Sequence, residues 1–378
     1  SKLIEDVINL SKQSIDQNDL KKIREVFLSG KITRGKNILN FEKKISNYTG
    51  CKYAVAVNSA SSALLLAYSV LLDKKNKITW TTPITFISTI SSSIHLGSKV
   101  DFVDVGEDFN INLKSLENKL KKSKKKNIPT VLTSVHLRGI PTDQDRLMHL
   151  KKKYNFKIIE DASHSLGAEF KNERVGSCRW SDMTILSFHP SKSITTAEGG
   201  MILTNNLNYY QKLSLLRNNG IKKNSNSPWN YRYDSIGYNF WMNEFQAALG
   251  ISQLRKLDRL IKMRKNKAEY YDAKLKNTNF YVNSKYLNKK NSHHLYVIKC
   301  KNKVTKNKMM KYLIKKGIET TTHYKALHLQ PYFLEHKFKN KKLVNAERYT
   351  NTHLSIPIYP DITKKKQDYV IKCILNFK

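Results

Sequence analysis

The sequence predicts an α/β fold in which a largely parallel sheet is flanked by helices and followed by a smaller α+β lobe. Short apolar runs rich in β-branched residues alternate with stretches of helical periodicity, which is typical of a parallel sheet covered on both faces. With 378 residues, of which 40% are hydrophobic, the chain is long enough for two lobes, and we place them at residues 1–256 and 257–378. Seven runs are predicted as strands of the sheet: 54–57, 77–80, 99–105, 130–136, 156–161, 183–188 and 201–204.

Two helices are predicted before the first strand. Asn18 or Asp19 can cap a helix that runs through Leu28 and ends at Gly30. The loop that follows, KITRG, crosses to a second helix around residues 41–48. The sheet therefore begins only after a helical N-terminal segment.

The first strand and the helix after it predict an anion-binding turn. The segment AVAVNSASSALLLAYSVLL consists of a short strand, a polar turn and an apolar helix. Backbone N–H groups at a helix N-terminus, together with serine hydroxyls, hold a phosphate through hydrogen bonds and the helix dipole. A serine that only caps the helix is the alternative. The sequence contains neither GxGxxG nor GxxxxGK[ST], which removes the usual fingerprints of dinucleotide and P-loop enzymes.

The stretch MTILSFHPSKSITTAEGGMILTN at 183–205 contains the residue on which the predicted function depends. A short buried strand ends at Pro190, and Lys192 follows in a turn that holds two threonines and Glu198. Ligands of α/β proteins bind at strand ends. A partly desolvated lysine has a lowered pKa, and its neutral amine can attack a carbonyl carbon. The alternative is that Lys192 is one more solvated lysine of a lysine-rich chain.

A second strand end carries a carboxylate that complements this lysine. The run KIIED ends in Asp161, and His164 follows one turn later. A buried carboxylate needs a partner. Pyridoxal phosphate is the cofactor that pairs a carboxylate with a Schiff-base lysine, because its ring nitrogen stays protonated beside such an anion. Asp161 fits that role, and the alternative is a strand-end aspartate that caps the next helix.

Beyond the sheet the sequence predicts one long helix and the small α+β lobe. The helix starts near Met242 and runs toward Leu275 with apolar residues in helical spacing. His323 and His328 stand five residues apart, which does not place them on one helix face, so no metal site is predicted. The predicted elements of the lobe are strands at 295–300, 318–322 and 354–360 and helices at 306–316 and from Lys364.

The composition argues against several functional classes. The 68 basic and 30 acidic residues give a formal net charge of +38, but the lysines are scattered and form no basic stripe with interleaved aromatics, so no specific nucleic-acid role is predicted. The four cysteines contain no CxxC pair, which predicts neither a zinc site nor a disulfide framework. The uncharged run at 53–72 is interrupted by polar residues and is not predicted to span a membrane. The N-terminus lacks the apolar core of a signal peptide, and we expect a cytoplasmic protein.

Four motifs in chain order resemble those of a known family. They are EDASHSLGA at 160–168, SFHPSKSITTAEGGM at 187–201, GYNFWMNEFQAALG at 237–250 and LSIPIYP at 354–360. They resemble the DegT/DnrJ family of nucleotide-sugar aminotransferases, and the resemblance runs from about Gly30 to the C-terminus. It implies aminotransferase fold type I with a seven-stranded sheet, pyridoxal 5'-phosphate as cofactor and pyridoxamine 5'-phosphate as its intermediate form. It also implies a homodimer with composite active sites.

The resemblance assigns roles to residues around the lysine. Lys192 would form the Schiff base and move the proton, Asp161 would pair with the ring nitrogen, and His164 would hydrogen-bond the phenolic oxygen of the cofactor. Phe86 would stack on the cofactor ring, although a core phenylalanine is the alternative. The cofactor phosphate would be bound by Ala60, Ser61, Ser187 and, from the neighbouring subunit, Asn239.

The resemblance further implies an amino-acid donor, glutamate, and a nucleotide-sugar acceptor. The segments at 216–239 and 323–333 resemble the branch that aminates C4 of UDP-linked 4-keto-6-deoxy-N-acetylhexosamines for surface glycans. An aminotransferase for a 3-keto dTDP-sugar and a non-catalytic regulatory member are the alternatives. Trp241 and Asn219 stand where the family usually has arginine and histidine. Substrate contacts are predicted for Arg34, His189, Trp229, Tyr231, His323 and His328.

Overall fold

The computed structural model of the chain describes residues 7–72, 75–224, 227–338 and 342–377, apart from the side chains at 223, 224, 227–229, 337 and 338. The helices are α1 (Gln17–Leu28), α2 (Lys36–Thr49), α3 (Ala60–Leu71), α4 (Ser88–His95), α5 (Leu113–Lys122), α6 (Gln144–Tyr154), α7 (Leu207–Arg217), α8 (Glu244–Leu254), α9 (Leu257–Leu275), α10 (Lys303–Lys315), α11 (Pro331–Phe333), α12 (Val344–Thr352) and α13 (Lys364–Leu375). The strands are β1 (Tyr53–Val57), β2 (Ile78–Thr81), β3 (Lys99–Phe102), β4 (Val131–Val135), β5 (Lys157–Asp161), β6 (Glu169–Phe170), β7 (Glu173–Arg174), β8 (Met183–Ser187), β9 (Gly200–Thr204), β10 (Ile221–Asn224), β11 (Ser227–Tyr233), β12 (Lys289–Lys290), β13 (Tyr296–Lys299) and β14 (His353–Ile356).

A seven-stranded sheet forms the centre of the molecule. Its strand order is β1-β9-β8-β5-β4-β2-β3, and β9 runs antiparallel to both of its neighbours while the other pairs are parallel. All seven predicted strands belong to it, which confirms the largely parallel α/β fold. Every residue of β4, β8 and β9 is buried, as expected for strands covered by helices on both faces.

The residues predicted for the site meet at one edge of this sheet. β5 ends in Asp161 and β8 ends in Ser187, while the antiparallel β9 begins there with Gly200, directly opposite Ser187. The first turn of α3 packs against Gly200. A Cβ atom on that glycine would lie 2.4 Å from the carbonyl oxygen of Ser59 and 2.5 Å from the amide nitrogen of Ala60. Glycine is therefore required for β9 to approach the helix N-terminus this closely.

The N-terminal cap of α1 differs from the prediction. The cap is Asp16, whose carboxylate accepts hydrogen bonds from the backbone N–H groups of Asn18 and Asp19. Asp19 completes a capping box by accepting from the backbone N–H of Asp16. Its carboxylate is also fully buried and lies 2.7 Å from the ammonium of Lys256. Neither predicted residue caps the helix, because Asp19 points into the protein.

The predicted long helix at 242–275 is two helices, α8 and α9. Asn243 and Gln246 form a capping box that starts α8, and Lys256 separates the two helices with the non-helical angles φ −108° and ψ 4°. The predicted strand at 318–322 forms only isolated bridges and is wrong as a strand. The antiparallel β10–β11 hairpin was not predicted.

The C-terminal residues build a core of their own. Helices α9, α10 and α13 pack on the β13–β14 pair around a cluster that includes Tyr271, Tyr296 and Ile374. Another cluster joins Phe102, the last residue of β3 in the main sheet, to Tyr349 of α12. Because apolar contacts cross between the halves, the division at residue 256 stays a prediction. Across the described ranges, no helix combines the length and apolar character needed to span a membrane.

Candidate active site

A cavity of about 410 Å³ opens at the edge of the sheet where β5 and β8 end. Residues from the first turn of α3, from α4, from the lysine turn and from the segment after α10 line it. The structure thus brings together side chains that are far apart in the sequence. The predicted residues among its lining are Ala60, Ser61, Phe86, Asp161, His164, Ser187, His189, Lys192 and His323.

Lys192 is held in a tight turn between β8 and β9. Its backbone N–H donates to the carbonyl of His189 at 2.9 Å, and Ala197 takes a left-handed conformation with φ 68° that returns the chain toward β9. Burial lowers the pKa of the Lys192 ammonium to about 8. The negative charge of Asp161 opposes this shift, and the positive charge of Arg264 adds to it. About a tenth of this lysine is therefore an uncharged amine at pH 7, which is far more than for an exposed lysine.

Asp161 is the last residue of β5, and its carboxylate is oriented by three donors. Oδ2 accepts from the hydroxyl of Thr89 at 2.7 Å, and Oδ1 accepts from the hydroxyl of Ser163 at 2.6 Å and from its backbone N–H at 3.2 Å. The side chain is 5% exposed. Such hydrogen bonds fix the direction in which a buried carboxylate meets a cationic partner.

The first turn of α3 forms the opposite end of the cavity. Ser59 is the N-cap and accepts from the backbone N–H of Ser62 at 3.1 Å. The N–H groups of a first helical turn have no carbonyl partner inside the helix, and here Ala60 and Ser61 line the cavity. The hydroxyl of Ser61 lies 2.7 Å from that of Ser88 on α4. This arrangement of donors suits a phosphate group.

An aromatic and imidazole wall closes the space between these two ends. Phe86 is 57% exposed and lines the cavity, so it does not belong to the core. Nε2 of His164 lies 3.1 Å from the hydroxyl of Tyr324, and the ring centroids of His164 and His294 are 4.1 Å apart. Burial moves the pKa of both imidazoles well below the usual range, so both are neutral.

The lining fits pyridoxal 5'-phosphate. The free N–H groups of α3 and the close approach at Gly200 form a cradle for its phosphate, and Asp161 offers a carboxylate for its ring nitrogen. Among the described residues, Nδ1 of His164 is buried without a hydrogen-bond partner. A buried polar atom of this kind calls for a ligand group. The exposed ring of Phe86 offers a flat surface for stacking.

Several predicted site residues do not line this cavity. Asn239 is exposed, Arg34 is exposed in a left-handed conformation, and Tyr231 is 59% exposed on β11. The side chain of Trp229 lies outside the described residues. His328 is fully buried, with Nε2 3.3 Å from Oε1 of Glu347, and does not line the cavity, so its substrate contact stays a prediction.

Trp241, which replaces the family's usual arginine, lies beside the loop of Asn239. Its ring centroid is 3.8 Å from the guanidinium of Arg217 and 5.6 Å from that of Arg34. Its Nε1 donates to Oδ1 of Asn218 at 3.0 Å. The indole thus lies against two cations, where it holds both side chains in place.

Sequence reasoning missed several residues of the cavity. Thr89 lies two residues after the apolar Ile87 and carries no motif of its own, and Tyr324 enters from the C-terminal half of the chain. Of the three, Ser163 was the easiest to predict from the sequence, because a serine two residues after a strand-end aspartate commonly donates back to its carboxylate. The other two depend on contacts between distant segments.

Comparisons with known proteins agree with this geometry. The profile of the DegT/DnrJ/EryC1/StrS aminotransferase family matches residues 13–375. The chain is 36% identical over 371 residues to the UDP-4-amino-4,6-dideoxy-N-acetyl-beta-L-altrosamine transaminase of Campylobacter jejuni, with 96% of each chain covered. It is similar to the solved structure of Helicobacter pylori PseC, an aminotransferase involved in the biosynthesis of pseudoaminic acid, with a TM-score of 0.92 and 30% identity over 98% of this chain and 99% of that chain. The putative sugar aminotransferase Spr1654 of Streptococcus pneumoniae in its PMP-form matches with a TM-score of 0.90 and 25% identity over 97% of this chain and 98% of that chain. The chain therefore belongs to the DegT/DnrJ/EryC1/StrS aminotransferase family and is a pyridoxal phosphate-dependent enzyme.

Proposed function

We propose that this enzyme moves an amino group from glutamate to the C4 keto group of a UDP-linked 4-keto-6-deoxy-N-acetylhexosamine, for a surface glycan. The observation that carries the proposal is the cavity in which Lys192, Asp161 and the first turn of α3 meet. The Campylobacter and Helicobacter relatives, which cover nearly the whole chain, support the sugar and the position of amination. The four buried cysteines, all free thiols, support a reducing cytoplasm as its location.

Three parts of the cavity would hold the cofactor. The N–H groups of Ala60 and Ser61 and the hydroxyl of Ser187 would bind its phosphate. Asp161 would pair with its ring nitrogen, and Phe86 would flank its ring. When bound, the cofactor supplies a carbonyl that carries the amino group between donor and acceptor and a ring that withdraws electrons from the reacting carbon.

Lys192 would act as the proton carrier of the reaction. Its Nζ, when neutral, accepts a proton from the reacting carbon and returns it at the other end of the transfer. The lowered pKa of about 8 lets the amine perform both steps near neutral pH, since it is neither permanently charged nor too weak a base. His164, neutral and in contact with Tyr324, would position the cofactor without adding charge to the site.

We propose a homodimer with shared active sites. Asn239, Arg34 and Tyr231 are exposed and away from the cavity of their own chain, so any contact they make with cofactor or substrate requires a second copy. An apolar patch on α1, α2 and the loop between them lies on the side of α8, and it would be covered by that copy. The patch is formed by Leu20, Phe27, Leu28, Ile32 and Leu39, which are 46% to 77% exposed.

The substrate is tested by following the visible absorbance of the bound cofactor. Excess glutamate removes the absorbance of the pyridoxal form, and UDP- or dTDP-linked 3-keto and 4-keto sugars are then added separately. We expect the UDP-4-keto sugar to restore it. Restoration by a 3-keto sugar alone would overturn the amination at C4. Lys192→Ala should abolish turnover, and the exposed Lys212→Ala is the matched control that retains it.

The shared site is tested by mixing two inactive variants. In a mixed dimer, Lys192→Ala on one chain and Asn239→Ala on the other damage the same site only if that site takes the two residues from different chains. In a mixed dimer with shared sites, one site carries both changes and the other carries neither. A one-to-one mixture should therefore recover about a quarter of the native activity. Mixing Lys192→Ala with Asp161→Ala is the control that recovers none, and the same failure with Asn239→Ala would contradict the shared site.

A further inference from the structure

Arg264 on α9 is a buried cation that has no anionic partner in the part of the chain that the structure describes. It is 2% exposed, and its Nη1 donates to the carbonyl of Ile358 at 3.0 Å, while Nε has no hydrogen-bond partner among the described residues. Burial lowers the pKa of the guanidinium to about 10, and no carboxylate offsets that shift within the described chain. Arg264 therefore stays charged at neutral pH, at a considerable desolvation cost.

A small cavity connects this arginine with the lysine of the active site. Its volume is about 10 Å³, which is enough for about one water molecule, and both Arg264 and Lys192 line it. Ser14, Gln253 and Pro360 form other parts of its wall. Lys192 also lines the large cavity, so its side chain lies between the two. Arg264 borders the small cavity and not the large one, so it lies outside the lining of the space for substrate.

Among the charged groups around Lys192, Asp161 and Arg264 act on the charge state of the lysine in opposite directions. Asp161 favours the charged ammonium, whereas Arg264 disfavours it, and burial works in the same direction as Arg264. Two like charges in a poorly hydrated environment repel each other strongly. The exposed Lys12 also lines the small cavity. The remaining titratable groups that face the lysine are His164, His189, Glu198, His294, His323 and Tyr324.

We propose that Arg264 is a positioning residue whose fixed charge, buried behind Lys192, disfavours an ammonium on that lysine and so keeps its amine ready to accept a proton. The inference rests on the role proposed above for Lys192. It also explains why a buried cation without a carboxylate partner is retained in this position. Its desolvation cost is offset by an active-site lysine that remains a usable base.

The inference is tested by titrating Lys192 directly in the folded enzyme. The apoenzyme is first loaded with pyridoxamine 5'-phosphate, so that the lysine amine is free without any catalytic step. Brief pulses of acetic anhydride across a range of pH then label neutral amines, and mass spectrometry gives the labelled fraction of Lys192 at each pH. We expect a midpoint near 8 in the native enzyme. Lys212, which is exposed, serves as an internal standard in every sample.

Two kinds of substitution separate charge from packing. Arg264→Gln removes the charge but keeps a donor for the Ile358 carbonyl, and it should raise the Lys192 midpoint by about one pH unit. Arg264→Lys keeps the charge and should leave the midpoint near its native value. Arg264→Met is used in place of the glutamine variant if thermal melting shows that the latter is not folded.

Each outcome decides the inference. An unchanged midpoint in a folded, uncharged variant overturns it, and so does an equal shift in Arg264→Lys. Labelling does not depend on turnover, so the role of Lys192 is judged separately. If Lys192→Ala stays active while the midpoints shift, the proposed role of the lysine fails and the effect of Arg264 stands. If Lys192→Ala is inactive while the labelling midpoints of the native enzyme and of the uncharged Arg264 variant coincide, only the inference about Arg264 fails.

Discussion

At the residue scale, Gly200 determines how closely β9 approaches the helix that would bind the cofactor phosphate. The space beside its Cα is filled by the backbone of Ser59 and Ala60, which cannot move aside as a flexible side chain would. Any larger residue must push the strand and the helix apart. The N–H groups of the first turn would then lose their alignment with Ser187 on the neighbouring strand.

We predict that Gly200→Ala weakens cofactor binding by at least about tenfold, which corresponds to about 1.4 kcal/mol. The new methyl group would lie 2.4 Å from a carbonyl oxygen in the native backbone, so the cradle has to open. The dissociation constant of pyridoxal 5'-phosphate, measured by equilibrium dialysis, checks this. Gly106→Ala is the matched control, because its Cβ would meet its nearest neighbour at an ordinary 3.5 Å. Native affinity in Gly200→Ala would show that the two backbones separate without cost.

The sequence could predict single site residues where each stands at the end of a recognisable strand. Asp161, Ser187 and Lys192 follow apolar runs, and the sheet brings these ends together. Residues that depend on contacts between distant segments could not be found this way. Tyr324 and Arg264 reach the lysine region from the C-terminal half, and no local pattern in the sequence marks them.

At the element scale, the junction between α8 and α9 depends on two ion pairs that Lys256 makes with the start of α1. The ammonium of Lys256 lies 2.7 Å from Oδ2 of Asp16 and 2.7 Å from Oδ2 of Asp19. Asp19 is fully buried, and its carboxylate also accepts from the side-chain amide of Gln253 at 2.8 Å and from the backbone N–H of Asp16. These contacts of Lys256 and Gln253 thus fix α1 on α8 at the point where the chain continues into α9.

We predict that Lys256→Met destabilises the enzyme by about 3 kcal/mol, because it leaves a buried carboxylate without its cation. Urea unfolding at a fixed cofactor concentration measures the change. Lys22→Met, which removes the exposed pair with Glu25, is the control and should change stability by less than about 1 kcal/mol. Equal effects of the two substitutions would show that the buried position of Asp19 is unimportant.

The same junction shows why element boundaries could not be predicted from periodicity. The apolar spacing continues through residues 254–257, so the sequence indicates a single helix. The break arises because Lys256 leaves helical geometry while its ammonium binds two aspartates of another helix. The β10–β11 hairpin could not be predicted for a related reason, because the residues IKKN of β10 contain neither an apolar run nor a turn signal.

At the scale of the whole molecule, five buried imidazoles make stability depend on pH. Burial is the main cause that lowers the pKa of each, to about 3 for two of them and to about 4 for another. Burial of Glu160 acts in the opposite sense, because it raises the pKa of that carboxyl. These five imidazoles are His136, His164, His293, His294 and His353, and among the described residues His328 is buried as well.

We predict that the free energy of unfolding falls steeply as the pH drops below 6.5. Below pH 6.5 the imidazoles of the unfolded chain bind protons, whereas the buried imidazoles of the folded chain stay neutral. Their contribution to stability is therefore present above pH 6.5 and is lost below it, by about 1.4 kcal/mol per pH unit for each group. Urea unfolding at several pH values measures the slope. His136→Asn should reduce it by about one proton, and the exposed His95→Asn should leave it unchanged. An unaltered slope in His136→Asn would contradict the assignment.

The overall architecture was the part of the molecule best predicted from sequence. Seven apolar runs became the seven strands, because strands buried on both faces leave a continuous signal. The positions of Asn239, Arg34 and Tyr231 relative to the cavity could not be predicted in the same way. In the proposed homodimer their contacts would depend on a second chain, and sequence spacing carries no information about distances between chains.

The fluorescence of Trp241 offers a test of the proposed homodimer. Its half-buried indole lies against Arg217, two residues beyond Asn239, whereas Trp80 and Trp180 are buried within the chain itself. If a second copy covers this face, the indole loses water and its fluorescence emission moves to shorter wavelength, while the emission of the buried indoles stays where it is. In a Trp229→Phe background, the emission maximum as a function of dilution would then report, without label or substrate, the fraction of active sites that are complete.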